Sequence, residues 1–259
     1  MKVFDAYARY YDLLYHNKDY AGEATFVDQT LRKFGVTGGE LLELGCGTGK
    51  HAIELARHGW KVHGVDLSDA MVTQAQARAD QLSPALAQRV QFQPGDVRTV
   101  RVGRPFDAAI SLFHVMSYQT TDADLEAAIA TAATHVKPGG LFLFDFWYGS
   151  AVLSDPPAVR IKRMQDDDLE VTRLAEPEMK SNENQVVVHY HVFLRNRHTQ
   201  AVTEVREAHP MRFLFLPEMN HLLRRGGFEP LGSGAWCSPA PLGTGTWYGY
   251  LAARRVSVG

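Results

Sequence analysis

The stretch that decides the fold is Leu41-Leu42-Glu43-Leu44-Gly45-Cys46-Gly47-Thr48-Gly49. A short apolar run reads as a buried strand, and this one passes directly into glycines at alternate positions. Helical periodicity follows from His51 to His58, with Gly59 as a stop. Positions without a side chain let the backbone approach a ligand closely, and the next helix offers unbonded N–H groups at its start. The dinucleotide fingerprint is G-x-G-x-x-G/A. Here the third glycine falls one residue early, at Gly49, and Lys50 stands where Gly or Ala belongs, which counts against a nicotinamide cofactor.

Outward from this stretch the pattern repeats. Val62 to Val65 is a second apolar run, and Ser68 caps a helix over 69–81. Val90 to Gln93, Ala108 to Phe113 and Leu141 to Phe146 read as further strands, and a helix from Asp122 to Val136 is closed by Pro138-Gly139-Gly140. Upstream, Val27, Leu31 and Phe34 recur at helical spacing before Gly35. The β-α alternation predicts a mainly parallel sheet covered on both faces. Residues 158–215 differ. Arg160 to Met164 and Leu169 to Leu174 flank the turn-rich Asp166-Asp167-Asp168, Val186 to Arg195 alternates cleanly, and Glu204 to Phe215 alternates loosely, with Pro210 marking an edge strand or a bulge. Pro217 and Gly226-Gly227 bracket one more helix, and Phe228 to Leu231 and Thr246 to Ala253 close the chain.

With 259 residues there is room for one large α/β domain, and 45% hydrophobic against 22% charged residues excludes disordered and fibrous classes. The 27 basic and 29 acidic residues leave a net charge of −2, with no global field to hold a polyanion, so nucleic acid is not an expected partner. Met1 to Asp12 has no apolar leader core, and no run of ~18 apolar residues is present, so the expectation is a cytoplasmic protein without membrane association. Cys46 and Cys237 are isolated, which argues against a disulfide framework or a cysteine zinc site.

Two acids end successive strands. Asp66 is placed to accept both hydroxyls of a ribose, the bland alternative being a helix cap; Asp96 is placed to accept from the exocyclic amine of a purine, or is a turn aspartate. Together E-L-G-C-G-T-G, V-D-L-S and G-D, with Phe106-Asp107-Ala108-Ala109-Ile110 and Val136-Lys137-Pro138-Gly139-Gly140, resemble the motifs of class I S-adenosylmethionine-dependent methyltransferases over roughly 35–146. The resemblance implies S-adenosyl-L-methionine as cofactor and a Rossmann-like seven-stranded, mostly parallel sheet with one antiparallel strand near the C-terminus. It implies that Gly45, Gly47 and Gly49 face the methionine part and that Glu43 orients the glycine loop. Asp66 would take the ribose, Met71 and Asp96 the adenine, with Leu67, Val97 and Leu112 in the same site.

Tyr10-Tyr11-Asp12-Leu13-Leu14-Tyr15 with Lys18-Asp19-Tyr20, the segment from Leu112 to Tyr118, and the β-rich insertion are similar to bacterial sugar-modifying methyltransferases. These include N,N-dimethyltransferases of nucleotide-linked amino sugars and relatives encoded with surface-polysaccharide genes. That likeness implies one methyltransferase domain over 1–259, with a helical lid over 1–35 and a β-rich antiparallel insertion over 150–215. It implies a small-molecule acceptor, the amine or hydroxyl of a nucleotide-linked sugar, with a non-sugar metabolite or a cofactor-binding module without turnover as the alternatives, a lid role for Tyr11 and Tyr15, and a place for Tyr20 in the cofactor site. Tyr11 and Tyr15, four apart, share a helix face, and core packing is the alternative to that role.

Methyl transfer from a sulfonium needs in-line alignment, and a strong base only for a hydroxyl or a protonated amine. The catalytic candidates are His114, Tyr118 and Tyr11, with Asp145, Trp147 and Tyr148 facing them. His114 is either a base or an ordinary loop histidine, and Tyr118 either a reactant or a pocket wall. His189 and His191 share a strand face without a third ligand, so no metal is expected. Arg206, Arg212, Arg224 and Arg225 are candidates for a diphosphate. The insertion has little helical cover, so its apolar face is expected to wall the acceptor side and to make a homodimer contact.

Overall fold

Alternate residues of the central strands face opposite sides of one sheet, and both sides are covered. The computed structural model describes residues 10–256; the part of the expected lid over 1–9 lies outside them. The strands are β1 (Glu40–Leu44), β2 (Lys61–Asp66), β3 (Val90–Pro94), β4 (Phe106–Ser111), β5 (Val136–Trp147), β6 (Arg160–Gln165), β7 (Leu169–Lys180), β8 (Gln185–Asn196), β9 (Val202–Arg212), β10 (Phe228–Ala235) and β11 (Tyr248–Arg255). Seven of them form a sheet in the order β10-β11-β5-β4-β1-β2-β3, in which β11 runs antiparallel to both neighbours, as expected. Leu42, Leu44, Phe142, Phe144 and Phe146 pack with helices Asp122–His135 and Leu216–Arg225 on one face. Leu41, Leu141 and Leu143 pack with helices Tyr20–Lys33 and Lys50–Arg57 on the other.

Two sequence expectations shift here. The helix expected over Asp122 to Val136 stops at His135, because Val136 already pairs with Phe106 of β4 and the sheet takes over the backbone hydrogen bonds. Helix Tyr20–Lys33 buries Ala24, Val27 and Leu31, a stripe at helical spacing, against the sheet. It is cover for the sheet, and the expected lid narrows to the chain from Tyr10 to Tyr20.

The remaining strands form a separate antiparallel sheet, β6-β7-β8-β9. Pro210 sits opposite Val187 on the edge strand β9, where the missing N–H costs no ladder bond. On β8, Val186, Val188, Val192 and Leu194 are buried. Tyr10, Leu14 and Met71 cover one end of this row, Val152 and Phe213 the other. That cover comes from the same chain, so hiding this face needs no second copy. His189 and His191 lie on the opposite face and pair with Glu178 (3.2 Å) and Glu204 (2.7 Å). No helix among the described residues is long and apolar enough to cross a membrane.

Candidate active site

The chain leaves β1 toward β2 on one side and later enters β4 on the other, so a crevice opens at the carboxyl ends of β1 and β4, where open α/β sheets bind ligands. A cavity of about 770 Å³ occupies it. Gly45, Gly47, Asp66, Leu67, Met71 and Val97 line one end.

The glycine loop is tied to the next strand. The N–H groups of Gly45 and Cys46 both donate to the carbonyl of Val65, at 2.7 and 2.9 Å. Gly47, at φ +53°, donates its N–H to Asp66 Oδ2 at 2.7 Å, and Ser68 donates to Oδ1 at 3.0 Å. Burial raises the Asp66 carboxyl, and these N–H groups only partly offset it. Ser68, not Asp66, caps helix Asp69–Ala79, accepting from Met71 N. A Cβ at Gly47 would meet nothing closer than the Tyr11 hydroxyl, 3.9 Å away: the empty side is the cavity. Gly49 corrects the sequence reading. It lies outside the cavity, and a Cβ there would stand 2.7 Å from Phe92 Cζ and 3.0 Å from Ala75 Cβ, so its role is close packing of helix Asp69–Ala79 and β3. Asp66→Ala removes the acceptor of two backbone N–H groups as well as the carboxylate expected to take the ribose. The expected result is a folded protein whose S-adenosylmethionine affinity falls by ~1–3 kcal/mol, read by titration calorimetry.

Glu43, expected to orient the glycine loop, does not line the cavity. It points to the Leu41 side of β1, buried, and neither oxygen has a hydrogen-bond partner among the described residues. His51 Nδ1 is 4.0 Å away, and His51 Nε2 is taken by Glu23 at 2.8 Å. Burial, with the charge of Asp66 adding to it, pushes the Glu43 carboxyl up to about 8. A folded-state value above the unfolded one means that the folded chain holds the extra proton. Its stabilising contribution is complete at pH below the unfolded value and is lost as pH rises through about 8. Thermal melts of the cofactor-free chain should therefore fall between mildly acidic pH and pH above that value, and Glu43→Gln should flatten the fall.

The N-terminal segment is clipped onto the loop. Asp12 meets Lys50 Nζ at 2.8 Å, Arg78 Nη2 at 2.6 Å and the Thr48 hydroxyl at 3.2 Å. This brings Tyr11 and Tyr15 over the cavity, with their rings 4.8 Å apart and the Tyr15 ring edge-on to Phe113 at 4.9 Å. Tyr20 reaches the cavity across His51. Asp96, expected to accept from a purine amine, is gripped by Arg98 through both oxygens, and that guanidinium holds its carboxyl below the usual range. Val97 and Leu112 line the cavity.

After β4 the backbone is strained. Phe113 and His114 take φ of +64° and +66°, left-handed values unfavourable for side-chain-bearing residues. Asp145, buried on β5, holds this bend: it accepts from His114 N at 3.1 Å and lies 2.7 Å from His114 Nδ1, while the imidazole stacks on Tyr248 at 4.7 Å. Tyr118 lines the cavity and its hydroxyl meets His209 Nδ1 at 2.9 Å. Trp147 is also in the wall, whereas Tyr148 packs into the core.

The inward face of the four-stranded sheet closes the far end with Arg160, Arg173, Ala175, Tyr190 and Met211. The expected arginines are elsewhere. Arg206, Arg224 and Arg225 pair with Glu204, Glu229 and Glu126 at the surface, and Arg212 with Asp122 and Glu218. Arg160 and Arg173 were not singled out in the sequence, nor were Glu207 and His209. The signal is the strand period: opposite Tyr190 and Val188 stand Glu207 and His209, polar residues in an inward row, which is also why β9 alternates loosely.

The features fit a cofactor with a ribose and an amino-acid tail: a glycine whose missing Cβ opens onto the cavity, a ribose-type carboxylate, and an aromatic cover. A family model described as a methyltransferase domain matches residues 41–140. A dTDP-3-amino-3,4,6-trideoxy-alpha-D-glucopyranose N,N-dimethyltransferase of Streptomyces venezuelae is 30% identical over 188 residues, covering 72% of this chain and 76% of the relative. A dTDP-3-amino-3,6-dideoxy-alpha-D-glucopyranose N,N-dimethyltransferase of Streptomyces fradiae is 28% identical over 204 residues, 78% of this chain and 75% of that protein. In fold, the crystal structure of an S-adenosylmethionine-dependent methyltransferase from Clostridium acetobutylicum ATCC 824 superposes with a TM-score of 0.80 at 21% identity, covering 98% of this chain and 99% of that one. The glycine loop over β1, the acid ending β2, the strand order with its single reversed strand and the match along most of a relative agree, and the chain belongs to the class I S-adenosylmethionine-dependent methyltransferases.

Proposed function

We propose that this methyltransferase acts on the amine of a nucleotide-linked amino sugar. The observation that carries the reading is the two-ended cavity, with a cofactor end on the β1–β3 loops and a second end walled by Arg160, Arg173, Trp147, Tyr190 and Tyr248. Guanidinium groups suit an anionic diphosphate, and aromatic faces suit a base or a sugar ring. Dimethyltransferases of dTDP-amino sugars among the relatives point the same way.

Bound S-adenosylmethionine supplies a methyl group on a sulfonium, which an acceptor lone pair takes in line. In this reading Gly45 and Gly47 admit the methionine part, Asp66 holds the ribose, and Leu67, Met71, Val97 and Leu112 enclose the adenine, with Asp96 shared between it and Arg98. Tyr11, Tyr15 and Tyr20 shut water out above the reacting atoms. His114, fixed by Asp145 and Tyr248, shapes the acceptor side, so that catalysis rests largely on alignment.

The test is mass spectrometry of the full chain with S-adenosylmethionine and dTDP-3-amino-3,4,6-trideoxy-alpha-D-glucopyranose, beside a nucleotide sugar bearing hydroxyls only. A gain of one or two methyl masses on the amino sugar alone is expected. Methylation confined to the hydroxyl sugar would overturn the amine assignment.

A further inference from the structure

At the seam between the two sheets, four side chains form a continuous chain of contacts. The Tyr118 hydroxyl is 2.9 Å from His209 Nδ1, His209 Nε2 is 3.3 Å from Glu207 Oε2, and the same oxygen accepts from the Tyr10 hydroxyl at 2.9 Å. His209 and Glu207 are almost wholly buried, and the second Glu207 oxygen has no hydrogen-bond partner among the described residues. The imidazole is held edge-on against Tyr190, 4.8 Å away. One end of the chain, Tyr118, opens on the cavity, between the cofactor loops and the wall formed by the small sheet.

The carboxylate fixes the polarity. A carboxylate only accepts, so with the proton on Nε2 facing Glu207, Nδ1 is left to receive the Tyr118 hydroxyl. We propose that Tyr118, His209 and Glu207 form a proton relay that strips the proton from an ammonium acceptor before attack, and that Tyr10 steadies its carboxylate end. The inference rests on the amine reading above. Tyr118 is the residue that touches the acceptor; His209, Glu207 and Tyr10 are positioning residues. The acceptor N–H proton passes to the Tyr118 oxygen as the phenol's own proton passes to His209 Nδ1. A neutral amine and an imidazolium beside the Glu207 carboxylate result, with total charge unchanged. The lone pair freed on nitrogen forms the new N–CH3 bond while the C–S electron pair stays on sulfur. His209 returns its proton to solvent on product release. Burial raises the Tyr118 phenol well above its usual value, so it passes a proton without itself becoming a standing anion. The titratable and charged groups facing the relay are Tyr11, Tyr15, Arg173 and Tyr190, besides its own members.

Two measurements test the relay. Nitrogen NMR of the histidine-labelled full chain, with the His209 signal assigned through His209→Gln, should show the Nε2–H tautomer at neutral pH and a shifted Nδ1 in Tyr118→Phe. The opposite tautomer, or an imidazolium that does not titrate, overturns the relay and needs no acceptor. With dTDP-3-amino-3,4,6-trideoxy-alpha-D-glucopyranose as probe, Glu207→Gln and His209→Gln should lower kcat about tenfold at pH 7, since an amine of pKa near ~8 is only about one-tenth neutral there. That loss should vanish above the amine's pKa, with KM for S-adenosylmethionine unchanged. A loss of equal size at every pH marks a structural role and overturns the relay. If the intact chain methylates no amino sugar, the amine reading falls, and the NMR arm still decides whether the relay exists.

Discussion

Gly47→Val is expected to weaken S-adenosylmethionine binding by more than ~10³-fold while the sheet remains folded, because it acts in two ways at one position. The residue sits at φ +53°, where a β-branched side chain is disfavoured by roughly 1–2 kcal/mol. Its Cβ projects into space bounded at 3.9 Å by the Tyr11 hydroxyl, the space that the proposed reading gives to the methionine part. Relieving the strain would move the N–H that Asp66 accepts at 2.7 Å, so neither adjustment spares the site. Calorimetry on the folded variant checks the result. Binding within tenfold of the parent would mean that the glycines only make a turn.

Asp145→Ala is expected to lower kcat/KM by ~10²–10³-fold, since a misplacement near 1 Å at a reacting centre costs about 10². The carboxylate is the acceptor for the His114 N–H and stands against Nδ1 of the same residue, and it holds two consecutive left-handed residues in place. Without it a backbone donor loses its partner and the bend is free to relax, at a stability cost of ~1–3 kcal/mol. Cofactor affinity should change little, because Gly47 and Asp66 belong to other loops. Steady-state kinetics beside cofactor titration separates the two. An unchanged kcat/KM would show that the 113–114 conformation holds without Asp145.

Much of this was readable from the chain alone. The run from Leu41 to Gly49, the acid at Asp66 and the alternation of apolar runs with periodic helices fixed the sheet and the family, because each depends on local patterns: strand period, glycine conformation and helix caps. Pro210 marked an edge strand for the same reason. What needed the tertiary structure was every role that depends on which strands become neighbours. Glu43 and Gly49 belong to the motif in sequence, yet one lies on the far face of β1 and the other against Phe92 and Ala75, since alternation and crossing geometry decide where a motif residue points. Arg173, Tyr190, Glu207 and His209 are scattered over three strands and meet only through the register of the antiparallel sheet. The apolar row of β8 announced that it must be covered, but only the packed chain shows Tyr10, Leu14, Met71, Val152 and Phe213 as the cover. Burial is a property of the assembled fold, and so are the raised carboxyl of Glu43 and the buried chain from Tyr118 to Tyr10.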